Sequence, residues 1–378
     1  MSRRLQALTA VVALMAWAEA EAAPEVHQVA APMPAEVTLY TGTSDALVRQ
    51  HVMATLREGE NVLAFSWSSD NLDAGSVRLH AAEGLSPGEI VRPSGDSKAL
   101  RWTVTARKAG EYPVTVSHLI KGISWSPTYR MTWPHEAEEA LLEGYVTITN
   151  GSGVKLDPIK AQIVLGRPGM TATEPPQPTF PIMGVEMLPQ GSAVRAGFLP
   201  PMSLSARLLY RIDSERAPDR VERILVVEPP QSNGLEREAL PKGPLTVAVE
   251  EAGEDLWELV RGELSYAAGE PIELPLGAER DILVERKLLE RSKVHLEFDR
   301  LGCVSGFDTV ERYELRVSNH TDRAAQLEVV ETVLDTWDFE TEALYVTEEG
   351  QVVMRLEVAP ADESVLQFTL IKHSGTRI

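Results

Sequence analysis

The sequence predicts an all-β protein made of tandem antiparallel β-sandwich (immunoglobulin-like) domains, and three observations carry that prediction. Short runs of alternating polar and apolar residues recur along the chain, the pattern of half-buried strands. Glycine (26 residues) and proline (25) are spread throughout, as turn-rich β structure requires. Helical periodicity is confined to residues 254–260, where Gly253 and Gly262 leave space for a turn or two.

The N-terminus reads as a targeting segment over residues 1–22. Arg3 and Arg4 precede an apolar run from Leu8 to Ala18, and Ala18-Glu19-Ala20-Glu21-Ala22 supplies small residues at cleavage spacing. The run is too short to span a bilayer, although an uncleaved N-terminal anchor is the alternative. Cleavage after Ala20 or Ala22 fits best, and no cysteine lies there to carry a lipid. The expected location is periplasmic or secreted, with no transmembrane span in the mature chain.

A small N-terminal β domain is expected over 24–95. Its strands are Val37–Tyr40, Ala46–Val52, Val62–Trp67 and Ser76–His80, closed by a Pro/Gly/Ser-rich connection at 84–95. A hairpin, Leu100–Ala106 and Tyr112–His118, then leads into a second region spanning 96–378. There, Trp125, Pro127, Tyr129 and Met131 recur at period two and share one face of a strand. Pro127 marks an edge or a bulge. The next strand, Glu138–Thr149, ends at Asn150-Gly151, a hairpin signal, and Ile159–Leu165 returns. Residues 168–204, rich in Pro, Gly, Met and Thr, are expected to form a long irregular loop. Strands resume at Ala206–Ile212, Val221–Val227, Leu245–Val249, Gly262–Tyr266 and Asp281–Lys287, with two subdomains split near 235–245. Tyr313–Asn319, Ala325–Thr332, Val352–Val358 and Ser364–Ile371 complete the chain.

Composition excludes several functions. The net charge of −20 leaves no cation excess to displace counterions from nucleic acid, and it disfavours electrostatic attachment to anionic lipid. Cys303 is the single cysteine, so no intramolecular disulfide can form; it is expected to be a small buried or half-buried residue rather than a nucleophile. The histidines are dispersed, and the closest pair, His118 and His135, does not make a metal-ligand spacing. Neither a metal nor a cofactor is expected. No Gly-x-Ser-x-Gly elbow or phosphate-binding glycine loop occurs.

Two kinds of candidate remain. Asp335 and Asp338 flank Trp337, where desolvation beside the ring would raise a carboxyl pKa and suit acid–base work. Trp125, Tyr129, Trp133 and Trp337 could offer a binding face to a glycan or peptide, but their period-two spacing favours packing. The sequons at Asn150 and Asn319 read as chance occurrences.

These segments, in this order, resemble a known family. Gly122-Ile123-Ser124-Trp125-Ser126-Pro127-Thr128-Tyr129, followed by Gly144 to Asn150, resembles the start of the DUF4139 domain of proteins similar to mucoidy inhibitor A. Leu240-Pro241-Lys242-Gly243 is similar to its Leu-Pro-x-Gly strand, and Gly277 to Arg286 to its Gly-x-x-x-Asp-x-x-x-x-Arg segment. Tyr313–Asn319 and Val329–Trp337 resemble its late strand pair. Residues 35–82, with a Leu-x-x-Gly-x-Asn run, look like the short domain that often precedes it. The coiled coil that many relatives place between the two domains is missing from this sequence. The resemblance implies an exported β-sandwich without an assigned reaction, in which Trp125, Pro127, Tyr129, Asn150 and Trp337 are structural. The expected function is therefore a non-catalytic binding or structural module at the cell envelope, with an envelope protein or glycan as partner. The alternative is a hydrolase of envelope polysaccharide or peptide using paired carboxylates. Exposed strand edges would also allow an oligomer.

Overall fold

A computed structural model describes residues 26–29, 35–95, 98–134, 137–168, 177–228, 239–250, 257–267, 269–348 and 350–378. The expected targeting segment and His135 lie outside the described residues. The first strands are β1 (Val26–Gln28), β2 (Ala35–Tyr40), β3 (Ala46–Leu56), β4 (Gly59–Ser66), β5 (Arg78–Ala81), β6 (Leu85–Val91), β7 (Ala99–Ala106) and β8 (Gly110–Ile120). There follow β9 (Ile123–Pro134), β10 (Glu139–Asn150), β11 (Pro158–Val164), β12 (Thr179–Ile182), β13 (Ala193–Asp213), β14 (Glu222–Val227), β15 (Gly243–Glu250) and β16 (Trp257–Leu264). The last are β17 (Ile272–Ala278), β18 (Ile282–Phe298), β19 (Val304–Asn319), β20 (Ala325–Thr332), β21 (Trp337–Thr341), β22 (Tyr345–Glu348), β23 (Gln351–Val358) and β24 (Asp362–Gly375). The protein is nearly all β, and no helix among the described residues is long and apolar enough to cross a membrane.

Four sheets enclose three main cores. A four-stranded sheet, β1-β4-β7-β6, faces a six-stranded sheet, β12-β11-β2-β3-β8-β5. Between them lie Leu56, Leu63, Phe65, Trp102, Val104, Val114 and Val116. The other part of the six-stranded sheet turns towards a ten-stranded sheet whose path is β16-β15-β9-β10-β13-β20-β23-β22, with β14 and β17 alongside. Ala46, Val48, Ile120, Tyr129, Met131, Trp133, Ile148 and Phe198 belong to this central core. The far half of the ten-stranded sheet covers β18-β19-β24-β21 through Val329, Met354, Val317 and Phe368. Most pairings are antiparallel; β1/β4, β2/β11, β9/β15 and β13/β20 are parallel.

Long strands tie the cores together. Along one face of β3, Ala46 and Val48 enter the central core while Ala54 and Leu56 enter the first. The 21 residues of β13 run from Phe198 in the central core to Ile212 in the third. This weaving corrects the expected organisation. Residues 24–95 do not close as a unit, because β2 and β3 pair with β11 and β8. A cut near 235–245 does not separate the later cores either: Leu245 and Val247 are central, whereas Ile212 and Val221 belong to the third core.

Other differences have local causes. The irregular loop expected at 168–204 is replaced by β12 and the start of β13 among its described residues; residues 169–176 lie outside them. Pro200-Pro201 hides the strand period. The pair falls where β10 and β13 change register, between Leu142↔Met202 and Gly144↔Leu199, so neither proline takes part in a cross-strand pairing with β10. The 84–95 connection contains β6, an edge strand bulged between Pro87 and Ile90. β7 and β8 are not a hairpin but lie in different sheets. Residues 257–260, expected in a helical turn, begin β16 instead.

Candidate functional site

The motif residues build the central core. Trp125 is half-buried and its indole N–H donates to the Tyr40 carbonyl at 2.9 Å, while Trp133 is buried. Tyr129 is buried, donates its hydroxyl to the Pro241 carbonyl at 2.6 Å, and has its phenol pKa pushed up by burial. Gly243 lies against Pro127: a Cβ there would stand 2.8 Å from the proline Cγ. The Trp-x-Pro-x-Tyr and Leu-Pro-x-Gly segments are thus packed on each other. Pro127 precedes the β15 pairing, which runs from Tyr129 to Pro134, so it needs no second partner strand. Trp337 is half-buried against the third core, with the Lys372 ammonium 4.3 Å from its ring centroid. Of the four aromatics, Tyr129 and Trp133 are buried in the central core, while Trp125 and Trp337 are half-buried against the central and third cores.

Asn150 does not form the expected hairpin, since β10 pairs with β9 and β13 rather than β11. It is fully buried and works as a corner. Its amide donates to the carbonyls of Val154 (2.9 Å) and Leu188 (2.8 Å), and its Oδ1 accepts from the Ser152 N–H and hydroxyl. Asn319 repeats this arrangement on Arg323 and Val358 carbonyls, with Thr321 in the serine's role. Both sequons are therefore internal braces. Gly151 donates its N–H to the Gly122 carbonyl at 2.7 Å, and a Cβ on Gly122 (φ 85°) would stand 2.8 Å from the Gly151 carbonyl oxygen.

The turn held by Asn150 bounds a cavity at the junction of the first two cores. Asn71 and Ser69 donate to the Ser152 carbonyl, clamping the 66–72 segment onto the 151–157 loop. Below this clamp is a cavity of about 70 Å³. Its wall includes Phe65, Trp67, Leu72, Ile120 and Leu156. The Phe65 ring centroid is 5.7 Å from that of Trp67 and 5.6 Å from that of His118. At the edge, Lys155 and Asp157 pair with each other at 3.0 Å.

Two polar side chains line this cavity without a partner. Gln50 is 6% exposed and His118 4% exposed, and neither Gln50 Oε1 nor His118 Nδ1 has a hydrogen-bond partner among the described residues. They lie on adjacent strands, since Gln50 opposes Val116 and His118 opposes Val48. Burial lowers the His118 pKa to about 4, so the ring is neutral at pH 7. Unpaired buried polar atoms cost about 1–3 kcal/mol each, and here two of them face one space. Gln50 and His118 each break an apolar alternation, at 46–56 and 114–120; that interruption was the signal in the sequence for both.

The acids form a separate cluster at one end of the fourth sheet. Asp338 accepts from His373 Nε2 at 3.0 Å, and the same ring binds Asp308 through Nδ1 at 2.8 Å. Asp308 is buried and also holds His295 (2.8 Å) and Arg377 (2.6 Å). Hydrogen bonds from Arg377 foremost, then the histidines, hold its carboxyl well below the usual range, and the two carboxylates raise the His373 pKa. Asp335 is exposed and outside this network. The partners of Asp308 stand 13, 65 and 69 residues away, a constellation that no local motif marks. Cys303 is exposed, correcting the expectation of burial: it occupies the turn between β18 and β19, its N–H held by Asp299. No group of three or more metal-type ligands is gathered among the described residues.

A wider cleft of about 950 Å³ lies between Trp133, Tyr210 and the 320–324 turn, lined by charges of both signs. It lacks the apolar wall with convergent polar groups that marks a ligand site. The junction cavity has both. Compared with known proteins, the chain matches no family model and no curated sequence.

Proposed function

We propose that the chain is an exported, non-catalytic β-sandwich protein of the DUF4139 type, acting as a binding or structural module at the cell envelope. The observation that carries the binding role is the junction cavity, with its apolar wall and two unpartnered polar atoms. The N-terminal segment supports export, and an envelope protein or glycan is the partner class this reading favours.

A hydrolase using paired carboxylates is the second reading, favoured by Asp338 and Asp308 meeting at one imidazole. Against it, both oxygens of Asp308 and both nitrogens of His373 are already engaged, so the exposed Asp338 has no second, open carboxylate to pair with in this cluster. Fractionation of cells expressing the full chain tests the first reading: the processed protein is expected in the periplasmic, envelope or secreted fraction. Retention in the cytoplasm at full length refutes it. Incubation of the purified protein with envelope polysaccharide and peptide tests the second, which stands if products form and Asp338→Asn abolishes them.

A further inference from the structure

We infer that the free edge of β18 binds an extended acidic peptide, which adds to the fourth sheet as a further strand with a carboxylate at every second position. This surface lies apart from the junction cavity. The edge itself is the first observation. Among the described residues β18 pairs only with β19, and it ends the sheet order β18-β19-β24-β21. Its 17 residues make a long edge strand, and an unpaired edge offers backbone N–H and C=O groups to an incoming strand. The pairing with β19 is regular over Ile282–Leu288 and again over Glu290–Val294, with one extra residue at Leu289 between them. Leu288 and Leu289 are both exposed there and give an incoming strand apolar contact beside the backbone.

Charge sets the chemistry of the partner. Arg291 and Lys293 stand opposite Glu311 and Thr309 of β19, so they share one face of the sheet, and Lys372 joins them from β24 opposite Thr309. Arg291 (3.2 Å) and Lys372 (2.7 Å) share the buried Glu311 carboxylate. Lys293 stands 3.9 Å from the Phe307 ring centroid and makes no ion pair among the described residues. Three cations therefore meet one carboxylate, in a chain whose net charge is −20. At physiological ionic strength charges beyond about 8 Å are screened, so the local excess outweighs the total. Arg291 and Lys293 are exposed, and alternate side chains on a strand lie about 7 Å apart. A partner strand matches both with acids two residues apart. The rings on this face are already covered, Phe307 by Lys293 and Trp337 by Lys372 at 4.3 Å, which disfavours the stacking of a sugar. Cations on an edge also disfavour pairing with a second copy of the same strand.

The test uses the purified full chain at pH 7 with a labelled, capped heptapeptide of alternating valine and glutamate, followed by fluorescence anisotropy and by amide hydrogen exchange. The peptide is expected to bind saturably with a dissociation constant of about 1 mM or tighter and to slow exchange in Glu290–Val294. The counterpart with lysine in place of glutamate should not bind measurably. Arg291→Gln/Lys293→Gln should weaken the glutamate peptide about five-fold or more. Two further peptides, N-methylated at one or the other alternate set of backbone amides, probe the edge on the unaltered protein: one of the two should lose binding, because its blocked amides face β18. Absence of saturable binding overturns the inference, as does equal binding of the lysine peptide, of both methylated forms, or of the glutamate peptide by the double variant. Tighter binding of polygalacturonate that the double variant loses would make the strip an acidic-glycan site and overturn the peptide assignment. A dimer in light scattering that the variant dissolves would assign the edge to a second copy and overturn it as well. These measurements are independent of cellular location, so a failure here is distinct from a failure of the export and envelope reading.

Discussion

Replacing His118 by phenylalanine should flatten the acid side of the stability profile. In the folded chain burial holds the His118 pKa at about 4, against 6.5 for the ordinary side chain. Between those values the unfolded chain binds a proton that the folded chain does not, so stability falls as the pH falls. The contribution is fully present above pH 6.5 and lost towards pH 4, with a slope of about 1.4 kcal/mol per pH unit and a total of about 3 kcal/mol. Carboxylates dominate the lowest pH range of so acidic a chain, so the informative comparison is wild type against His118→Phe between pH 6.5 and 5. Over that window the wild type should lose about 2 kcal/mol more than the variant. Urea unfolding followed by tryptophan fluorescence reads the difference, and a ¹⁵N titration of the imidazole reads the midpoint directly. Parallel profiles for the two proteins, or a midpoint near 6.5, would refute the reasoning.

Three further perturbations follow from the same geometry. Asn150→Ala removes two donated and two accepted hydrogen bonds at a fully buried corner, and Asn319→Ala removes the matching set; each should cost about 2–4 kcal/mol in urea unfolding. Trp133→Ala should cost about 3–5 kcal/mol and Trp125→Ala clearly less, because Trp133 is 1% exposed while Trp125 is only half-buried; equal losses would mean that Trp125 is braced mainly by its bond to Tyr40. His373 has the opposite sign to His118. Its pKa is raised by Asp308 and Asp338, so its stabilising contribution is complete below pH 6.5 and is lost as the pH rises through the folded value. Thermal melts of wild type should therefore fall on the alkaline side, and those of His373→Gln should not.

The all-β class was legible because alternation is a local property: each strand shows its own buried face without reference to its neighbours. Positions such as Met131 and Trp133 could be assigned inward from that period alone. Pairing is a non-local property and was not legible. Asn150-Gly151 has hairpin chemistry, yet the strand after it is taken by β2, and the competition was decided by apolar faces more than 100 residues apart. The same holds for β7 and β8, which a short turn joins but two different sheets receive. Prolines misled in a third way: Pro200 and Pro201 signal irregularity, and the irregularity is two successive register shifts within a strand of 21 residues.

The candidate site falls where these two kinds of information meet. Along β3 and β8 the apolar period continues through Ala46, Val48, Val114 and Val116, and at Gln50 and His118 it breaks on one face. Taken strand by strand, each break is a polar residue at an apolar position and has no evident purpose. The topology makes them neighbours and sets both where the sheet leaves the central core and enters the first. An apolar pair at those positions would remove two unpaired polar atoms from the seam. Unpaired buried polar atoms cost about 1–3 kcal/mol each, so Gln50→Leu/His118→Phe should stabilise the protein in urea unfolding at pH 7. An unchanged or lower stability would refute the reasoning and mean that both side chains are satisfied where they stand.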